Sequence, residues 1–166
     1  VYNAPEENMA SLFRNTGAGA ELIADLPLPG TPSQANTVRL REGGPEFLSV
    51  LLQQDTGTTL AIQSLTSGKP ETVTELAGLE SGVHYTLAHV RGEPRADLLL
   101  WTPGRPTLTQ RPVLEPTPGA YQFGPPVSHE LEAPIRSVAV LPRDGQSRLL
   151  VVQGDVAKSG DVERLF

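Results

Sequence analysis

Three apolar runs organise the chain: residues 47–53 (FLSVLLQ), 96–102 (ADLLLWT) and 147–153 (SRLLVVQ). Runs of this length, bounded by Gly and Pro, predict strands buried on both faces. Their equivalent positions, Leu52, Trp101 and Val152, lie 49 and 51 residues apart, and a similar step back from Leu52 reaches Tyr2. About eleven residues upstream of each run the pattern alternates, at residues 37–40, 85–90 and 137–141, as in a strand with one face less buried. Turn-rich connectors at 41–45, 91–95 and 142–146 join each alternating segment to its apolar run, and their Gly and Pro predict tight hairpins. A third strand is predicted at 59–65 and 107–111, with counterparts at 8–15 and 161–166. A fourth ends in a repeated acid–leucine pair: Asp25-Leu26, Glu75-Leu76 and Glu130-Leu131.

Four short antiparallel strands per unit of about 50 residues, the second the most apolar, form the pattern of β-propeller blades. The expected fold is therefore all-β, a propeller-like array of about three and a fraction blades. The unit boundaries fall at 1–35 (end of a partial blade), 36–82, 83–134 and 135–166 (a second partial blade). A single four-stranded sheet cannot bury both its faces, so each blade needs neighbours. The chain is accordingly expected to be part of a larger array, completed by further blades or by self-association.

Composition narrows the class further. With 16 Pro and 16 Gly among 166 residues, long helices are improbable, yet the total stays below the roughly 25–30% that signals disorder. The net charge of -6 and the scattered placing of 13 basic residues leave no basic stripe for a phosphate backbone, so nucleic acid is not an expected partner. No apolar stretch approaches the roughly 18 residues of a membrane helix, so no membrane span is expected. The absence of Cys removes disulfides and thiolate metal ligands.

Residues 12–19, Leu-Phe-Arg-Asn-Thr-Gly-Ala-Gly, resemble a turn of FG-GAP and VCBS-type propeller repeats, and residues 96–100, Ala-Asp-Leu-Leu-Leu, resemble the strand that follows the calcium loop in that family. The resemblance implies a propeller, an extracellular, cell-surface or periplasmic setting, and calcium as the candidate cofactor. The calcium loop itself is degenerate here. Its remnants are Asp97 and Asp144; Pro142 and Arg148 replace ligands around Asp144, Arg91, Glu93 and Arg95 replace most of the loop before Asp97, and Ser49 stands at the position of Asp97 in the preceding unit. A hard cation needs several oxygens from one turn. The expectation is therefore no cofactor, with these loops held by Gly and Pro geometry and by arginine hydrogen bonds.

Other candidate chemistry is sparse. His84 and His89 are five apart on one predicted strand, hence on opposite faces, and His129 belongs to another strand, so the three are read as strand or loop residues. No nucleophile-elbow serine motif and no phosphate-binding glycine loop occurs. The acid–leucine pairs are read as charged blade edges that discourage edge pairing, in preference to a glycosidase carboxylate pair. Trp101 is expected in the core and not as a sugar platform. Pro116, Thr117, Pro118 and Gly119 are expected to lengthen the loop between the third and fourth strands of their blade, a place where partners bind.

Together these readings predict no catalytic residues in this chain and a non-catalytic scaffold that binds a protein or glycan through blade loops. Two alternatives remain: the propeller portion of a carbohydrate-active lyase or hydrolase whose catalytic residues lie outside this chain, and a structural filler of an adhesin.

Overall fold

The computed structural model describes residues 8–64, 71–143, 146–154 and 162–165, and every regular element among them is a β-strand. The first predicted repeat position, Tyr2, and the calcium-loop remnant Asp144 lie outside the described residues. The strand pairs whose register is defined are antiparallel, and within each sheet consecutive strands pair, except that one strand skips its predecessor. The chain forms two compact units, one of residues 1–37 and 47–79, the other of residues 38–46 and 80–166.

The first unit contains a two-stranded sheet of β1 (Met9–Asn15) and β2 (Ala20–Pro27). Its turn is closed by Asn15, whose side-chain oxygen accepts from the Gly17 N–H at 2.9 Å. A four-stranded meander follows, of β3 (Thr31–Arg39), β4 (Glu46–Gln54), β5 (Gly57–Ser64) and β6 (Glu71–Leu79). Alternation assigns Val50, Leu52 and Ala61 to one face and Leu51, Leu60 and Ile62 to the other, and all six are buried. That two-sided burial explains why β4 reads as an apolar run and not as an alternating strand. Val50, Leu52 and Ala61 pack with Leu28, and Ala10 of β1 lies against them. Full burial of each large aliphatic contributes about 1.5–3 kcal/mol.

The second unit holds two sheets. One orders β7 (His84–Ala88), β8 (Asp97–Trp101), β9 (Thr107–Thr117) and β10 (Ala120–Phe123), with β11 (Val127–Glu130) also paired to β9. The other contains β12 (Ile135–Arg143), β13 (Gln146–Gln153) and β14 (Val162–Leu165). Leu99 and Trp101 of β8 lie on the same face as Ala88 and Leu108, and this face packs on Ile135 and Val151 of the other sheet. All five residues of β8 are buried.

Three features differ from the sequence expectation. β3 begins at Thr31, so the boundary expected at 35/36 falls inside a strand. The Pro-rich stretch is not a lengthened loop: β9 continues to Thr117, and only Pro118 and Gly119 separate it from β10. Its prolines sit where the ladder does not need their missing N–H groups. The Pro112 carbonyl accepts from Gly124 N at 2.8 Å, so the nitrogen of Pro112 faces that same side, where the fourth strand is broken. Pro116 lies beside the register shift between Ala120 and Gln122. The third difference is that break. Gly124, Pro125 and Pro126 divide the predicted fourth strand into β10 and β11, because two successive prolines can donate nothing to β9.

The connectors 41–45 and 91–95 also do more than turn. Ala96 N donates to Leu40 O at 3.0 Å and Glu42 N to Pro94 O at 2.6 Å, so the two connectors pair with each other.

Candidate functional site

Asp97 opens β8 and is fully buried. Its two carboxylate oxygens accept from Arg91 Nε at 2.8 and 3.0 Å, and the Arg91 Nη1 atom reaches Glu93 at 3.1 Å. The Gln110 side chain donates a further hydrogen bond to Asp97. Because a carboxylate only accepts, the Gln110 amide nitrogen must face Asp97, and its oxygen then faces His129 Nε2, 3.0 Å away. His129 therefore donates from Nε2, and the order Arg91, Asp97, Gln110, His129 runs across β8, β9 and β11. Burial raises the Asp97 carboxyl above its ordinary value, although Arg91 and Gln110 pull in the opposite direction. A guanidinium thus lies on the carboxylate face that a cation would need, and the donor set at Asp97 does not suit calcium. Ser49, which the sequence pattern aligns with Asp97, is likewise fully buried and donates to Asn36 O at 3.1 Å.

Beside this network the two sheets of the second unit leave a half-open cleft of about 260 Å³. Val90, Leu99, Leu108, Leu131 and Leu149 make its apolar walls, while Arg91, Gln110 and His129 supply the polar groups. Register explains the grouping. Leu99 pairs with Gln110 and Leu108 with His129, so all four project from one face of the sheet. None of these aliphatic residues is a site candidate in the sequence, since they come from three separate strands and two connecting segments that only the pairing brings together.

A second polar cluster sits under the β9–β10 hairpin. Glu115, whose side chain is 11% exposed, accepts from Gly119 N at 2.9 Å, and Arg41 Nη1 lies 3.7 Å from its other oxygen. Tyr121 donates to Glu115; burial pushes its phenol up from the ordinary value, the Glu115 charge adds to the rise and Arg41 opposes it. Pro116, Thr117, Pro118 and Gly119 are all exposed above this cluster. Gly119 has φ 81°, and Pro118 before it fits the first central position of a turn with positive φ at the second. A Cβ on Gly119 would meet nothing within 4 Å, so Gly119→Ala is expected to cost only the backbone strain, about 1–2 kcal/mol, read as a lower urea midpoint with an unchanged slope.

The remaining candidates are placed as follows. His84 is exposed and stacks on Trp101 with ring centroids 5.8 Å apart, and Trp101 belongs to the buried core. His89 is half-buried, and its backbone carbonyl accepts from Ser147 N at 2.9 Å. Asp25, Glu75 and Glu130 are exposed on β2, β6 and β11, each a strand at the edge of its sheet. Asp25 accepts from Ser11 Oγ at 2.6 Å and Glu130 from Thr107 Oγ1 at 2.9 Å. Among the described residues no three His, Asp or Glu side chains converge into a group that could hold a metal ion. No helix of the described chain is long and apolar enough to cross a membrane.

No family model matches this chain, and no curated protein matches it.

Proposed function

We propose that the chain is a segment of a propeller-like repeat array that works as a non-catalytic interaction module, and that it engages a protein or glycan through the exposed tip of the β9–β10 hairpin. The observation that carries this reading is the clamp beneath the tip. Glu115 gathers Gly119 N–H, Tyr121 and Arg41 around one carboxylate, while the side chains of Pro116, Thr117 and Pro118 are exposed above it. An exposed turn fixed by a half-buried cluster loses little conformational freedom on binding, and such preorganisation favours recognition. The repeat of about 50 residues and the sheets built from consecutive strands support the array. The resemblance to FG-GAP and VCBS-type repeats adds an extracellular, cell-surface or periplasmic setting.

The test compares the wild-type chain with Thr117→Lys on a glycan array and in cross-linking to candidate surface proteins. Thr117 is exposed and outside the clamp, so the variant keeps its fold. Retention of a defined partner, lowered about tenfold or more by the substitution, is the expected result. Retention that Thr117→Lys leaves unchanged would move the site away from the tip, and no retention by either protein would leave the structural-filler reading.

A further inference from the structure

The cleft in the second unit is a different surface from the hairpin tip, and its chemistry is one-sided. Five aliphatic side chains line it, and a cavity of about 150 Å³ with such walls already accepts a benzene ring. At about 260 Å³ there is space for one ring or a short branched chain plus a few further atoms, and the half-open form leaves one end of such a molecule in water.

The polar groups define the head of that molecule by elimination. Gln110 is committed at both ends, its nitrogen to Asp97 and its oxygen to His129 Nε2. Arg91 is held by buried Asp97 through Nε, but its contact with Glu93 is a surface pair, with side-chain exposures of 36% and 45%. An exposed pair of this kind contributes little and is readily exchanged. Arg91 is thus a fixed cation at the edge of an apolar cleft, anchored on one side by Asp97 and replaceable on the other.

We infer that this cleft binds a small amphiphile with an aromatic or short branched apolar body and a carboxylate head, the body between Leu99, Leu108, Leu131 and Leu149 and the head on Arg91 in place of Glu93. The carboxylate of the ligand would exchange one surface ion pair for another that is better shielded from water. Its apolar body would cover side chains that now face the cleft.

The probe is 3-phenylpropionate, with 3-phenylpropanol as the uncharged control, followed by methyl NMR of the whole chain. Shifts at the Leu99, Leu108, Leu131 and Leu149 methyls are expected with both, tighter for the acid. Glu93→Gln, a surface change that leaves the fold intact, is expected to strengthen binding of the acid about three- to tenfold and to leave the alcohol unchanged. Leu149→Phe, or Leu131→Phe if the first variant does not fold, fills the cleft and is expected to abolish both. No methyl shift with either probe at millimolar concentration overturns the inference, as do shifts that persist in the filled variant. Binding that is insensitive to Glu93→Gln overturns the placing of the head on Arg91.

Discussion

Arg91→Met is expected to destabilise the chain by about 3 kcal/mol or more, whereas Asp97→Asn costs about 1–2 kcal/mol, although both remove the same ion pair. The asymmetry follows from burial. Asp97 is fully buried while the Arg91 side chain is 36% exposed. Deleting the arginine strands a carboxylate away from water; deleting the carboxylate leaves a guanidinium that water can solvate. The double variant should then recover much of the loss, and a double-mutant cycle in urea would read the coupling directly. Its pH dependence has a definite sign. Burial raises the Asp97 carboxyl in the folded chain, so the folded state holds this proton more tightly than the unfolded one. The stability from this group is fully present below the unfolded value of about 3.9 and is lost as pH climbs through the raised folded value. Arg91→Met pushes that carboxyl further up, so its penalty should be greatest near neutrality and shrink on acidification. A penalty that is flat with pH would mean that Asp97 is not the stranded group.

The sheet in which this pair sits shows what was legible in the sequence. β4 and β8 are legible from the hydrophobic pattern, because burial on both faces removes the polar positions that would otherwise interrupt the apolar run; β13 gives a similar run although only Val151 and Gln153 among residues 147–153 are buried. The acid–leucine pairs fall at the ends of β2 and β11, but Glu75-Leu76 lies mid-strand in β6, which continues to Leu79; what the three share is an exposed carboxylate on an edge strand, which an interior strand does not tolerate. The all-β class is clear from both. The β9–β10 hairpin was not legible, because Pro112 and Pro116 read as loop residues unless it is known which side of the strand carries the ladder. That side is set by Gly124 and by the register shift opposite Pro116, neither of which leaves a local trace.

The sites divide in the same manner. Asp97 stands out in the sequence only as the remnant of a degenerate calcium loop, and the arginines before it suggest hydrogen bonds in place of a cation; the distance of 2.8 Å to Arg91 Nε gives that suggestion a geometry. The Glu115 clamp and the aliphatic cleft leave no mark in the sequence for one physical reason. Each is assembled across strands far apart in sequence, Arg41 with Glu115 and Leu99 with Leu149, so only the sheet register brings their members together. The pairing of connectors 41–45 and 91–95 belongs to the same class. A period of about 50 residues in the sequence aligns these two connectors, but does not tell that they bond to one another.

Trp101→Ala is expected to cost about 3–5 kcal/mol and Trp101→Phe only about 1 kcal/mol or less, a wider gap than area alone would give. Trp101 is 7% exposed and packs with Leu108, Ile135 and Val151, so truncation to alanine opens a cavity where the two sheets of the second unit meet. Phenylalanine keeps most of that contact and the stacking partner His84. It also deletes an indole N–H that is buried without a hydrogen-bond partner among the described residues. A buried unsatisfied donor costs about 1–3 kcal/mol, so its removal offsets part of the lost ring volume. Circular dichroism in urea is the right readout, because Trp101 is the sole tryptophan and both variants lose the fluorescence signal. Equal losses for the two would show that the indole N–H has found a partner, and would place the whole of the Trp101 contribution in hydrogen bonding instead of in packing between the sheets.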